Sequence, residues 1–231
     1  MPLLDQLDGG VVISCQSQSP AHPMYPPSAI ARLARCAELG GAVAVRINHP
    51  RNVRAARRAV GVPVVGLYKV RHPGRRSLIT PTFERAAALA DAGAGVLAVE
   101  AVERPGLPAD LAAGLVSRIR DELGLPVMAD VSTLDEGRRA WEAGATLVGT
   151  TLSGYTAQSP TLTDPDLRLV EQLADEGIRT VAEGRFRTPD QVAQAFDRGA
   201  FAVVIGTAVT DPVAITRWLV DRSPRATRGT R

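Results

Sequence analysis

"VPVVGLYK" (residues 62–69) is a nearly unbroken apolar run that ends on a charged amine. It shows no alternation of polar and apolar residues, so a strand here would be buried on both faces, as in a parallel sheet covered by helices. The same design recurs in "GVVISC" (10–15), "AVAVR" (42–46), "AGVLAV" (94–99), "LPVMAD" (125–130), "ATLVGT" (145–150), "IRTVAE" (178–183) and "AFAVVIG" (200–206). Between these runs, Ala/Arg/Leu/Glu-rich segments with helical spacing occupy 28–39, 51–59, 83–92, 110–123, 134–143, 165–176, 189–198 and 212–221. Glycine stands near the helix ends in "AELGG", "ADAGAG", "DELGL", "WEAGA", "ADEGI" and "FDRGA", where a left-handed residue closes the last turn. Ser132-Thr133 and Thr188-Pro189 read as helix starts. Eight strand–helix pairs with short connections predict an α/β fold, a single (β/α)8 TIM barrel. An open doubly wound sheet is the alternative, because a strand count does not say whether the sheet closes.

Size and composition agree with this reading. The 231 residues suit one such domain, and 45% hydrophobic with 22% charged residues is ordinary for a soluble globular chain. The opening "MPLLDQLDGG" lacks a basic segment followed by an apolar one, and no apolar stretch approaches a membrane span, which predicts a cytoplasmic protein. The basic character is local: the last ten residues, "RSPRATRGTR", carry four arginines and no acid, and without them the formal net charge falls from +3 to −1. The expected organisation is therefore a barrel domain over 1–221 followed by an Arg-rich, disordered tail over 222–231. Any nucleic-acid role would rest on that tail alone, and none is expected. Cys15 and Cys36 read as small core residues, and His22, His49 and His72 are scattered in loop-like settings. With no metal-ligand spacing, no bound metal is expected.

In a barrel, chemistry collects at the C-terminal strand ends. Here those ends carry Cys15-Gln16, Arg46, Lys69, Glu100, Asp130, Thr150-Thr151, Glu183-Gly184-Arg185 and Gly206-Thr207. A single charge at a strand end needs no explanation beyond contact with solvent; a lysine, an arginine and several carboxylates round one opening do. Of the 27 basic residues, Lys69 is the only lysine and the other 26 are arginine. Arginine does not deprotonate near neutral pH, whereas a partly buried lysine can have its pKa lowered and act as a base or nucleophile. The turns "AEGRFRTPD" and "VVIGTAVTDP" place glycines after the last two strands, the usual place where barrel backbone N–H groups hold a phosphate.

Taken together, "VISCQ" (12–16), "GGAVAVRIN" (40–48), "VVGLYK" (64–69), "ITPT" (79–82), "ADVST" (129–133), "GTTLSGYT" (149–156), "VAEGRFRTP" (181–189) and "GTAVTDPVAIT" (206–216) resemble the N-acetylmannosamine-6-phosphate 2-epimerases of sialic-acid and amino-sugar breakdown. The resemblance implies a phosphate-binding barrel, without cofactor or metal, that interconverts N-acetylmannosamine 6-phosphate and N-acetylglucosamine 6-phosphate. It implies that Lys69 is the acid/base lysine and Glu183 the carboxylate that works with it. Gln16, Arg46 and Asp130 match positions that hold or orient the sugar, and Gly184, Arg185, Gly206 and Thr207 match the phosphate end. One departure stands out. The family reads Leu-Asp-Ala-Thr after the fourth strand and this chain reads Val99-Glu100-Ala101-Val102, with the following stretch shortened to "ERPGLP". The expectation is that the longer acid alters one wall of the pocket and so bears on which sugar is taken. Two other readings stay open: a Schiff-base, aldolase-like lyase using Lys69 as nucleophile, and a sugar-phosphate-binding protein without turnover. A homodimer is possible on this reading, with a small sugar phosphate as the partner and no membrane.

Overall fold

A computed structural model of the chain describes residues 2–17, 19–72, 75–103 and 111–224. Its elements run β1 (Gly10–Cys15), α1 (Pro27–Leu39), β2 (Ala44–Asn48), α2 (Pro50–Arg57), β3 (Val64–Leu67), β4 (Lys69–His72), β5 (Arg75–Ile79), α3 (Phe83–Asp91), β6 (Val96–Glu100), α4 (Leu111–Leu123), β7 (Val127–Asp130) and α5 (Leu134–Glu142). They continue through β8 (Leu147–Gly149), α6 (Leu167–Asp175), β9 (Thr180–Glu183), α7 (Pro189–Asp197), β10 (Ala202–Ile205), α8 (Thr207–Thr210) and α9 (Pro212–Val220). Eight parallel strands close into a barrel in the order β1-β10-β9-β8-β7-β6-β3-β2. The open-sheet alternative is excluded by the β1–β10 pairing, Gly10 through Ile13 against Ala202 through Ile205.

Period two sorts each strand. Val12, Ala44, Val65, Leu67, Val96, Ala98, Met128, Leu147, Val181, Ala202 and Val204 form one buried cluster with Leu7, the filling of the barrel. Their neighbours Ile13, Val45, Val64, Leu97, Val127 and Val148 join the layer under the helices. Both faces are thus apolar, which is why no alternation is visible in the sequence. Carrying the interior set two residues further along each strand lands on Ser14, Arg46, Lys69, Glu100, Asp130, Glu183 and Gly206, and one more step of two past Ser14 reaches Gln16. The same parity that fills the barrel aims these side chains into its mouth.

Several expectations need correction. Five of the apolar runs start two residues before their strands do, because Ala42, Ala94, Ala145, Ile178 and Ala200 are buried after the glycine turns without belonging to a strand. Burial, not pairing, keeps them apolar. The antiparallel ribbon β4–β5, with Lys69 opposite Ile79 and Val70 opposite Leu78, was not anticipated. It is largely polar, so an apolar-run criterion passes over it, and it puts His72 at a strand end rather than in a loop. Cys15 is buried as expected, but Cys36 is exposed on α1. "ERPGLP" beyond Glu103 and the arginine tail from residue 225 lie outside the described residues. Capping boxes at Thr133/Glu136 and Thr188/Gln191 confirm the two helix starts. No described helix is long and apolar enough to cross a membrane.

Candidate active site

At the C-terminal mouth of the barrel lies a cavity of about 720 Å³ lined by Gln16, Arg46, Lys69, Glu183, Gly184, Arg185, Gly206 and Thr207. Its size is that of a small-molecule site. Eight of the nine residues expected to form the site line it. The ninth, Asp130, is fully buried beneath. Strand order explains the layout. β3 stands diametrically opposite β9 in the closed barrel, so Lys69, two residues beyond β3, and Glu183, which ends β9, approach the cavity from opposite sides.

The floor is an ion cluster built around Arg46. Its Nη1 donates to Glu183 Oε1 and its Nη2 to Asp130 Oδ2, both at 2.5 Å. Thr151 Oγ1 lies 2.7 Å from Asp130 Oδ1 and 3.0 Å from Glu183 Oε2, bridging the same two carboxylates. Thr150 binds the Glu183 backbone through both its acceptor and donor capacity, each at 3.0 Å. Thr151 was readable as a strand end, but its bridging role depends on strands that meet only in the barrel. Gly149 beside it has no room for a side chain: a Cβ there would lie 2.6 Å from Met128 Cε and 3.1 Å from Asp130 Oδ1.

Around Lys69 the backbone is pinned. Its N–H donates to Asn48 Oδ1 at 2.9 Å, and Asn48's own carbonyl accepts from Asn52 Nδ2 at 2.8 Å. On the other side, Thr80 holds the base of the ribbon. Its N–H donates to Tyr68 O, its Oγ1 accepts from the Tyr68 N–H at 2.9 Å and donates to Ala98 O at 2.6 Å. Thr80 does this at φ 45, a left-handed conformation that a β-branched residue adopts only when its surroundings enforce it.

Electrostatics follow from this packing. Burial pushes the Lys69 amine down to about 8, and Arg46 adds to the effect, while Glu183 and Asp130 oppose it. Burial pushes the Asp130 carboxyl up to about 7; Arg46 and Thr151 resist, and Glu183 and Glu100 add to the rise. For Arg46 itself burial acts downward, but Asp130 and Glu183 outweigh it and hold the guanidinium above its ordinary value. Two cations therefore face two carboxylates, and a proton can leave Lys69 within a range that enzymes use at neutral pH. Three buried polar atoms of cavity-lining residues have no hydrogen-bond partner among the described residues: Gln16 Oε1, Ser17 Oγ and Arg46 Nε.

At the other end, Gly184 (φ 116) and Arg185 (φ 62) form the turn after β9. The Arg185 guanidinium donates to Asp164 O and Ser153 O, both at 2.9 Å, and lies 4.9 Å from the Tyr155 ring centre. Its side chain thus ties down the 153–164 loop at the edge of the cavity that Arg185 lines. His22, which the sequence left unassigned, reaches the rim. Its Nδ1 accepts the Met24 N–H at 3.1 Å, so Nε2 faces Asp211 Oδ1 at 3.3 Å. Among the described residues, no group of three or more His, Cys, Asp or Glu side chains could hold a metal ion. Glu100 does not form a wall of the cavity, contrary to expectation. It is buried behind Arg76, which does.

Comparison with known proteins places this geometry. The family described as "Putative N-acetylmannosamine-6-phosphate epimerase" matches residues 30–224. A Caldanaerobacter subterraneus protein named "Putative N-acetylmannosamine-6-phosphate 2-epimerase" is 41% identical over 223 residues, covering 95% of this chain and 93% of its own. A Klebsiella pneumoniae protein of the same name is 44% identical over 224 residues, 94% of each chain. The solved structure of the N-acetylmannosamine-6-phosphate 2-epimerase from Clostridium perfringens superposes with a TM-score of 0.88 at 32% identity, over 96% of each chain.

Proposed function

Because the chain belongs to the N-acetylmannosamine-6-phosphate epimerase family, we propose that it interconverts N-acetylmannosamine 6-phosphate and N-acetylglucosamine 6-phosphate, with residues 1–221 as the catalytic domain. The observation that carries this reading is the placement of Lys69 and Glu183 on opposite sides of one cavity, with Glu183 held by Arg46, which also binds Asp130. In the open-chain sugar, C2 lies beside the C1 aldehyde. Its proton can be removed by a poised base if the resulting oxyanion is stabilised. Inversion requires that a proton leave one face of C2 and return to the other. Lys69 is the proposed base that takes the proton from one face, and Glu183, on the opposite side of the cavity, the group through which a proton returns to the other face, leaving Lys69 free to lose its own to solvent. Arg46, whose Nε–H has no partner among the described residues, is assigned to the developing oxyanion, and Gln16 Oε1 to a hydrogen on the sugar; both atoms are buried, so each is uncovered as the substrate seats. Asp130 and Thr151 hold the Arg46 fork in place. Gly184, Arg185, Gly206 and Thr207 offer backbone N–H groups to the phosphate. A phosphorylated substrate does not cross a bilayer unaided, which supports a cytoplasmic placement as part of this proposal.

The test is incubation with N-acetylmannosamine 6-phosphate in D₂O, followed by NMR of the recovered sugars. Deuterium is expected at C2 of both epimers. A Lys69 pKa lowered to about 8 sets the sign of the pH dependence: the amine is the active form, so the exchange rate climbs with pH and levels off above that value. It is expected to be about 100-fold lower two pH units below it. Conversion without deuterium uptake, or a flat profile, would remove Lys69 from the role.

A homodimer belongs to the same proposal. α9 has no buried residue, and Val213, Trp218, Leu219 and Val220 on it are all exposed. An apolar helix left uncovered is a signature of an association surface. Light scattering is expected to give twice the chain mass, and charged substitutions at Leu219 and Val220 to halve it. A monomer before substitution would overturn this part.

A further inference from the structure

The ribbon β4–β5 brings two arginines, Arg71 and Arg76, to the cavity, and of these Arg76 is the one fixed from beneath. Arg76 is held in a two-pronged fork by Glu100, Nη1 to Oε2 and Nη2 to Oε1, both at 2.8 Å. The Glu100 side chain has no solvent exposure and also accepts the Ile79 N–H at 3.2 Å. Such planar, bidentate pairing fixes orientation as well as distance. Arg76 Nη1 further donates to Ser77 O at 3.1 Å. Among the described residues this leaves the Nε–H and the second Nη2–H of a side chain that is 30% exposed and lines the cavity.

Strand order says which part of a ligand these donors meet. Glu100 ends β6, and β6 is diametrically opposite β10 in the barrel. The Gly206 turn follows β10, so Arg76 faces the proposed phosphate end across the mouth. In a hexosamine 6-phosphate the phosphate sits at C6 and the acylamino group at C2, the far end of the open chain. A guanidinium has only donors and stays charged, so it requires an acceptor there. Arg46, at the floor, is already committed to the reacting carbonyl in the proposed mechanism. We propose that Arg76, oriented by Glu100, binds the acyl oxygen of the substrate's 2-acylamino group and so selects N-acylated sugar phosphates. This rests on the sugar-phosphate reading above. Glu100 is then a positioning residue acting through Arg76.

The test is a calorimetric comparison of three ligands: N-acetylglucosamine 6-phosphate, glucosamine 6-phosphate (which lacks the acyl group) and inorganic phosphate. Arg76→Met is expected to raise the Kd of the acylated sugar by about 10- to 100-fold, the usual loss for a hydrogen bond to a charged group. It should not weaken the other two by more than about twofold. Arg76→Met leaves a buried carboxylate without its fork, so the double variant Glu100→Gln/Arg76→Met is run alongside, its fold checked by circular dichroism. The same selectivity is expected. Glu100→Gln alone should raise KM for the acylated sugar while leaving kcat and the phosphate Kd in place. Equal weakening for all three ligands would assign Arg76 to the phosphate, and no weakening would remove it from the site; either overturns the proposal. If the wild type exchanges no C2 proton yet the selective loss is seen, turnover fails and the acyl-binding assignment stands.

Discussion

Arginine in place of Lys69 is expected to lower kcat by about 10²–10⁴, the usual worth of a general base, and to abolish deuterium entry at C2. The substitution keeps the positive charge and much of the length. If Lys69 only attracted the sugar phosphate, activity would fall modestly and through KM. Arginine does not supply a base near neutral pH, whereas burial and Arg46 have brought the Lys69 amine to about 8. Sugar-phosphate affinity should survive through the Gly184 and Gly206 turns. A Lys69→Arg variant that washes deuterium into C2 at near wild-type rate would refute the assignment. The one lysine among 27 basic residues would then be an accident of composition.

Arg46→Leu is expected to destabilise the fold by about 3–5 kcal/mol, because it strands two carboxylates that were paired with a single buried cation. Arg46 is 1% exposed and Asp130 0%, so water does not replace the lost partner. The effect has a definite pH dependence. Asp130 already has its carboxyl raised from 3.8 to about 7, and losing Arg46 raises it further. A carboxyl raised on folding contributes stability below its unfolded pKa and loses it as pH rises through the folded value. The deficit of Arg46→Leu relative to wild type should therefore be larger at about pH 8 than at about pH 5. Urea unfolding at the two values measures it. An equal deficit at both would mean that packing, not charge pairing, is what Arg46 supplies.

These two residues also mark how far the sequence can be read. The barrel was legible because its strands are buried on both faces: "VPVVGLYK" and its seven counterparts announce themselves through composition alone. The candidate site was legible for the related reason that the apolar file of each strand runs straight on into the mouth, from Ala44 to Arg46 and from Met128 to Asp130. The ribbon carrying Arg76 was not, because a short polar pair of strands has no burial pattern to betray it. Exposed Cys36 and the uncovered face of α9 escaped for the complementary reason, since apolarity does not say whether a partner is present.

What the sequence determined by itself was the class of fold, the ring of strand-end residues and the singular lysine, all of which depend on local periodicity and residue identity. What only the tertiary structure decided was who faces whom. Lys69 stands across from Glu183 because β3 and β9 are half a barrel apart. Arg46 reaches both Asp130 and Glu183, residues 84 and 137 positions away in the chain. Glu100 turns Arg76 toward the cavity instead of lining it. Closing a sheet brings together strands with no neighbour relation in sequence, and Coulomb and hydrogen-bond energies depend on those distances through space.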